Sequence, residues 1–497
     1  MDFKKKQAMK KGVSADAGRR RRGESAIQLR KAHKEEGLAK RRNLILEDEA
    51  NDPATQVNSM TGAKPTSADI PNLCAQLQSQ DQEAQLNAIK SFRRLLSVEK
   101  NPPVQDCLNA GAISLFITYL QRFDCPELQF EAAWALTNIA STEHTALVAQ
   151  LGGVPHLVKL LTSNMPDVRE QCAWCLGNIA GDGPELRDLV LGCGALAPLI
   201  ANIAEPASLS LLRNCTWSLS NFCRGKPQPT IESILPAVQA LSMLLKATSD
   251  VETMADIAWA LSYVSDGSNE RIESVVSQGV VPNLIQLLSS NRPELIIPAL
   301  RTLGNIVTGS DSQTQAVLDA DGALESIVHV LGHSKKNIRK ESCWLLSNIA
   351  AGNKNQISQL ANTPGLLRAV LNQLSESSEW DVRKEASWVI CNVASGGTKE
   401  HIMRLVENGA LQPLCDLLSV GEARVLLLAL EALENILKAG ENSNVDFVQL
   451  IDEADGISKL EFLQEHENHE VYEKAVRIIE KFFSGEEEEE DSENVAP

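Results

Sequence analysis

The chain has 497 residues, 43% of them apolar, 23% charged and only 4% aromatic. That length exceeds what one hydrophobic core of ordinary size accommodates, and so few aromatics argue against a large β-sandwich or barrel. No apolar run approaches bilayer length, the N-terminus is charged where a secretory signal would be apolar, and the eleven cysteines are scattered without a small-domain framework, so a soluble intracellular protein is expected.

The first segment, 1–50, reads as a basic arm. Residues 1–42 hold 15 Lys/Arg against 5 Asp/Glu, a net of +10; the other 455 hold 32 against 60, a net of −28, giving the total of −18. An acidic body attracts cations, its own arm among them, and repels the phosphates that the arm alone could bind. The stretch Arg19–Arg42 has few breakers after Gly23 and is expected to turn helical when a partner neutralises it. Residues 51–71, with Asp52-Pro53, Gly62 and Lys64-Pro65, read as a flexible linker.

From 72 to 484 the chain repeats itself. Trp134, Trp174, Trp217, Trp259, Trp344 and Trp388 are 40, 43, 42, 85 and 44 residues apart, and Arg301 stands where the doubled step lacks a tryptophan. Four residues after each ladder position come Asn138, Asn178, Asn221, Tyr263, Asn305, Asn348 and Asn392. Glycines keep a second beat, at 111, 153, 194, 279, 322, 365 and 409, with Pro236 in the missing place. Apolar residues between the beats recur at helical spacing. A helical period near 42 with glycine breaks is the armadillo signature, HEAT repeats being the close competitor. The expected fold is therefore all-α: a right-handed armadillo-repeat superhelical solenoid of about ten repeats with a concave groove. Its first and last repeats depart from consensus. Residues 485–497, rich in Glu, read as a disordered acidic tail.

On a helical wheel of residues 167–182, Val168, Cys172, Leu176, Ile179 and Ala180 form an apolar face, while Asp167, Gln171, Trp174 and Asn178 gather opposite. A tryptophan on the polar face, repeated with an asparagine one turn on, points to a binding surface rather than to packing between repeats. Buried amides without partners would be costly there. An asparagine can pair with both C=O and N–H of an extended peptide, and parallel indoles form slots for the stem and head of Lys or Arg. Acidic groups beside them, Asp182, Asp256, Asp266, Glu341 and Glu385, select for positive charge. The expected ligand is an extended, Lys/Arg-rich peptide. Tyr263 and Arg301 interrupt the ladder, leaving stations at Trp134/Trp174/Trp217 and Trp344/Trp388. Four stacked repeats separate Trp174 from Trp344, roughly 40 Å at about 10 Å per helix layer, which an extended chain covers in about 12 residues.

These residues resemble the importin-α family over nearly the whole chain. The resemblance rests on Arg19-Arg-Arg-Arg-Gly-Glu-Ser-Ala-Ile-Gln-Leu-Arg30-Lys31 and Lys40-Arg41-Arg42-Asn43 in the arm. In the repeats it rests on Trp174-Cys-Leu-Gly-Asn178-Ile-Ala-Gly-Asp182-Gly and Leu303-Gly-Asn305-Ile-Val-Thr-Gly-Ser-Asp311. It implies a nuclear import adaptor with a major signal-binding site of Trp134, Asn138, Gln171, Trp174, Asn178, Asp182, Trp217, Asn221 and Asp256. The implied minor site holds Asn305, Asp311, Glu341, Trp344, Asn348, Glu385, Trp388 and Asn392. It further implies an arm, using Arg19, Arg20, Arg21, Arg22, Arg30, Lys31, Lys40, Arg41 and Arg42, that binds importin-β and folds back to inhibit the groove. The implied partners are importin-β, cargo with mono- or bipartite basic signals, and an export receptor with Ran-GTP at the last repeat and tail. Shuttling between cytoplasm and nucleus goes with them. The loop Ser141–Thr145, after a 40-residue step, is expected to be shortened.

Other motifs carry less. Gly192-Cys-Gly-Ala-Leu-Ala197 fits a GxGxxA dinucleotide fingerprint but sits in an all-helical repeat. Cys172 and Cys175 lack a second ligand pair and read as structural; His466 and His469 could share a helix face and hold a metal, but a solvated terminal helix is the favoured reading. Arg169, Arg339 and Arg383, five residues before tryptophans, are expected to make structural ion pairs. No nucleophile–base set stands out, so neither enzymatic activity nor a cofactor, metal or membrane insertion is expected. The rival readings are an armadillo scaffold for other basic partners and a nucleic-acid-binding protein acting through its arm.

Overall fold

The computed structural model describes residues 65–98, 101–375, 378–441 and 445–483. The arm with the nine basic residues singled out above, the linker as far as residue 64 and the acidic tail lie outside the described residues. Every regular element within them is helical. The first α-helix, Ile70–Leu77, follows a 3-10 turn at Ser67–Asp69, opens two residues ahead of the expected solenoid boundary and buries Ile70, Leu73, Cys74 and Leu77.

Two compact units divide at Val264/Ser265. In the first, five long helices succeed one another: Gln82–Leu96, Pro126–Ala140, Pro166–Asp182, Leu209–Phe222 and Val251–Val264. The second repeats the pattern with Pro293–Ile306, Lys336–Ala350, Trp380–Gly396, Ala423–Gly440 and His469–Phe482. Two shorter helices precede most long ones, as Asp311–Leu318 and Ala323–Leu331 precede Lys336–Ala350. Each unit is thus a stack of armadillo repeats.

Local chemistry sets the breaks. Several long helices start on a proline at their first position (Pro126, Pro166, Pro293), where the missing N–H costs nothing. The turn between the two short helices needs a left-handed residue, met at Gly322 with φ 69°. At the Gly152-Gly153 pair the left-handed residue is Gly152, φ 81°, and Gly153 already lies in the next helix, which shifts the expected beat by one. Pro236 does not replace a break at all. Helix Ile231–Ala247 runs straight through it, so this repeat has one helix where its neighbours have two. The first short helix is replaced by the irregular stretch 223–230, pinned by Arg187. That side chain is 1% exposed and donates from Nη1 to Arg224 O (2.7 Å) and from Nη2 to Pro227 O (2.8 Å).

The expected apolar face of Pro166–Asp182 is the core: Val168, Cys172, Leu176, Ile179 and Ala180 are each at most 4% exposed. The wheel understated the burial, however. Ala173, Cys175, Gln171 and Asn178 are buried too, because the long helices of both neighbouring repeats pack against this one. The cysteines are free thiols, all buried except the half-buried Cys193. Burial pushes Cys172 well up and Cys175 to about 12, as structural thiols require.

Candidate functional site

Ladder positions fall at one place on each long helix. In the first unit Trp134, Trp174, Trp217 and Trp259 lie on four consecutive long helices, and all four indoles are half-buried. Trp259 stacks on Tyr263 at 6.0 Å and 23°, so the tyrosine that replaces an asparagine extends the aromatic surface. In the second unit Trp344 and Trp388, also half-buried, lie on consecutive long helices.

Two of the indoles, Trp217 and Trp344, are seated against a glycine in the preceding long helix, Gly177 and Gly304. A Cβ added at Gly177 would come within 2.5 Å of Trp217 Cζ3, and one at Gly304 within 2.1 Å of Trp344 Cζ3. Each of these two rings therefore approaches the backbone at its glycine more closely than a side chain there would allow. The sequence reading missed both glycines, although the triplet Leu-Gly-Asn at 176–178 and 303–305 carried the signal.

The asparagines correct the expectation that the ladder is not packing. Asn138, Asn178, Asn221 and Asn305 are 1–8% exposed, and the first three each tie their helix to the long helix before. Asn138 Nδ2 donates to Arg93 O (3.3 Å) and Ser97 Oγ (3.0 Å), Asn178 Nδ2 to Thr137 O (3.4 Å) and Asn221 Nδ2 to Gly177 O (2.9 Å). In the second unit Asn305 donates to Ser265 Oγ (3.3 Å) and Asn392 to Ser347 O (2.9 Å). The amide is half used. Asn178 Oδ1, Asn221 Oδ1 and Asn348 Nδ2 are buried polar atoms without partners, which keeps hydrogen-bonding capacity in hand. The asparagine is thus both a strut and a potential ligand group, because a primary amide has more bonding sites than one neighbour consumes.

The acidic residues separate into two kinds. Asp182 is exposed at the last residue of its helix, and Asp311 is exposed at the first residue of its own. Asp256 and Glu385 are half-buried. Glu341 is different: it is 3% exposed and held by Arg301 in a two-pronged pair, Nε–Oε2 3.0 Å and Nη2–Oε1 3.0 Å. The expectation of Glu341 as a ligand-facing charge is therefore corrected. An arginine at the ladder position desolvates and neutralises it. Gln171 is likewise buried at 8%, and its carbonyl accepts from Thr137 Oγ1 (3.2 Å).

Of the three recurrent arginines, only Arg339 makes the expected ion pair, with Glu379. Arg169 donates instead to Asn202 Oδ1 (2.8 Å) and Ser163 O (2.7 Å), and Arg383 to Leu374 O (3.2 Å). All three work inside the stack. The expected shortening near Ser141 falls in the helix itself, which ends at Ala140, two residues past its asparagine; the Trp174 helix runs four past. Thr142 consequently replaces an acidic group there. Among the described residues no cluster of metal-ligating side chains occurs, and no single helix is long and apolar enough to cross a membrane.

Comparisons with known proteins agree with this geometry. The family model for the armadillo/beta-catenin-like repeat matches residues 100–141, 141–181, 183–224, 268–308, 310–351 and 398–438, and an atypical Arm repeat matches 446–497. An importin beta binding domain matches residues 3–90. An engineered protein of known structure superposes with TM-score 0.74 at 30% identity, covering 84% of this chain and 99% of that one. Importin subunit alpha-1b of Oryza sativa subsp. japonica is 52% identical over 84% of this chain and 79% of its own. Importin subunit alpha-3 of Arabidopsis thaliana is 47% identical over 98% of this chain and 93% of its own. Armadillo stacks bearing the ladder, an importin-β-binding segment ahead of them and relatives matched nearly end to end lead to one conclusion: the chain belongs to the importin subunit alpha family.

Proposed function

We propose that the half-buried indoles, the partly used asparagine amides and the exposed Asp182 form the groove through which this chain, a nuclear import adaptor, takes up Lys/Arg-rich localisation signals. The carrying observation is the recurrence of a Trp/Asn pair at one place on five long helices, three in the first unit and two in the second, with polar capacity unspent at Asn178 and Asn221. An extended basic peptide supplies what these groups lack: backbone N–H and C=O for the amides, alkyl stems for the slots between rings, and positive charge for the carboxylates. Trp134, Trp174, Trp217, Asn138, Asn178, Asn221, Gln171, Asp182 and Asp256 serve the major station. Trp344, Trp388, Asn305, Asn348, Asn392, Asp311 and Glu385 serve the minor one.

The arm links cargo to importin-β, which fits its net of +10 and the domain matched over residues 3–90. The same arm carries Lys40-Arg41-Arg42, a miniature of the ligand itself, and occupies the groove until importin-β withdraws it. The chain then shuttles between cytoplasm and nucleus, with an export receptor and Ran-GTP returning it from the nucleus. Its family consists of transport adaptors, not enzymes.

A pull-down tests the arm. Residues 1–60 fused to a carrier should retain importin-β at physiological salt, and replacing Arg19–Arg22, Arg30 and Lys31 with alanine should abolish retention. Equal retention by both would refute the assignment.

A further inference from the structure

In the first unit the ladder residue is the ninth of its long helix, at Trp134, Trp174, Trp217 and Trp259. The first long helix, Gln82–Leu96, has Lys90 there, half-buried as the indoles are. Four residues on, where the next three helices have asparagine, it has the exposed Arg94. Three residues before, where Glu131, Gln171, Asn214 and Asp256 stand on the others, it has Asn87. Its one carboxylate, Glu83, lies in the first turn. The repeat that begins the ladder therefore exchanges indole and amide for two cations.

Duties inside the stack account for the neighbouring cations but not for Lys90. Arg93, one turn further on, is 4% exposed between repeats, with Nε 2.6 Å from Glu131 Oε2. Glu131 is itself 6% exposed, so its charge is not offered to the surface. A cation in the last turn compensates the helix dipole, as Arg94 does; Lys90 lies outside that turn. The last helix, His469–Phe482, makes the same exchange, with Arg477 ninth and Lys481 four residues on. There the preceding long helix and its C-terminal cap supply acids for both: Arg477 Nη2 is 2.9 Å from Glu434 Oε2, and Lys481 Nζ is 3.1 Å from Glu441 Oε1. No long helix precedes Gln82–Leu96, and among the described residues Lys90 makes no ion pair.

We propose that Lys90 and Arg94 form an anion-accepting subsite at the start of the ladder, which receives a carboxylate or phosphate on the cargo segment flanking its basic cluster. The stem of Lys90 takes the place of a ring, and a lysine buried by its stem carries its ammonium outward. An anion there gains charge-assisted bonds from two cations, whereas elsewhere the body of net −28 repels it. The subsite lies one and a half helix layers beyond the middle of the Trp134–Trp174 gap, roughly 15 Å at about 10 Å per layer. An extended chain covers that in about four residues. The subsite rests on the groove reading above and adds to it a requirement on the charge of one flank.

The test titrates labelled peptides into the full chain by fluorescence anisotropy, with importin-β present to keep the basic arm from both the groove and the phosphate. One lysine-rich core carries phosphoserine, aspartate or alanine about four residues beyond its N-terminal or its C-terminal end. Phosphoserine should raise affinity about fivefold or more over alanine on one flank. On the other flank it should lower affinity, because the ligand there runs on over the repeats of Trp217 and Asp256. Aspartate should give the same signs with changes of about twofold; a gain with phosphoserine and none with aspartate narrows the subsite to phosphate. Lys90→Gln together with Arg94→Gln should remove the gain, and Lys90→Glu together with Arg94→Glu should turn it into a loss. Should the charge reversal unfold the first repeat, the glutamine pair carries the test, its binding of the alanine peptide showing that it is folded. Losses on both flanks, or a gain that survives the glutamine pair, overturn the subsite and leave the groove standing. If no peptide binds even the wild-type chain, the groove reading falls and takes the subsite with it.

Discussion

At Gly177 and Asn178 two adjacent residues divide the ladder's work. The glycine leaves room for the Trp217 indole, and the asparagine ties its helix to Thr137 O while leaving Oδ1 without a partner. The two substitutions should accordingly differ. Gly177→Ala drives a methyl to 2.4 Å from Ser218 Oγ and 2.5 Å from the indole, so ring and helix must separate. A loss of about 1–3 kcal/mol in stability is expected, with weaker peptide binding. Asn178→Ala removes a single 3.4 Å bond and an unsatisfied atom together, so it should cost about 1 kcal/mol or less. Thermal melting of both variants checks the order, and an Asn178→Ala loss larger than that of Gly177→Ala would reverse the argument. The Trp/Asn pairs were legible in the sequence because they repeat. The strut role of the asparagines was not, because a single-helix wheel contains no neighbouring helix. The burial of Glu341 was hidden for the same reason: its partner Arg301 lies 40 residues away and looked only like a missing tryptophan.

Between elements, side chains from one repeat secure the start of the next. Arg213, on helix Leu209–Phe222, holds Asp250 at the head of helix Val251–Val264, with Nε–Oδ2 at 3.0 Å. Asp250 also accepts from Thr253 N (2.9 Å) and Thr253 Oγ1 (2.6 Å), capping that helix. Partial burial pushes the Asp250 carboxyl up. The hydrogen bonds from Arg213 and Thr253, with the arginine's charge, outweigh it and hold the group at about 2. The folded value thus lies below the unfolded one, near 3.9. The stabilisation is full above about pH 4 and is lost as pH falls toward 2. Asp250→Asn should lower the melting temperature at pH 7 and remove its share of the acid-induced loss between pH 4 and 2. A wild-type and a mutant curve that stay parallel through that window would contradict the assignment. Element type and repeat length were legible throughout, since the helical period and the glycine breaks are local signals. The exception was helix Ile231–Ala247. It runs unbroken past Pro236, and the irregular 223–230 stretch before it is fastened by Arg187 from another repeat, which no local pattern announces.

For the whole molecule the charges set the logic: an arm of net +10 is tethered to a body of net −28 that selects basic peptides. The 24 residues from Asn43 to Thr66, ahead of the first helical turn, would reach about 27 Å even as a flexible coil. Such tethering presents Lys40-Arg41-Arg42 to the groove at an effective concentration approaching millimolar. Changing these three residues to alanine should therefore raise cargo affinity in the absence of importin-β. With importin-β bound, wild type and variant should converge, because by linkage importin-β and cargo favour each other's binding. Equal affinities without importin-β would leave the arm a handle and not a switch. The central claim, that the ladder of the first unit is the cargo groove, is tested most directly by titrating a labelled lysine-rich signal peptide into the full chain with importin-β present, wild type against Asp182→Lys. Asp182 is exposed at the helix end, so its replacement leaves the core untouched while turning an attraction into a repulsion. The account predicts a loss of binding on the order of 2–5 kcal/mol with an unchanged melting temperature; equal affinity for the two chains would contradict it.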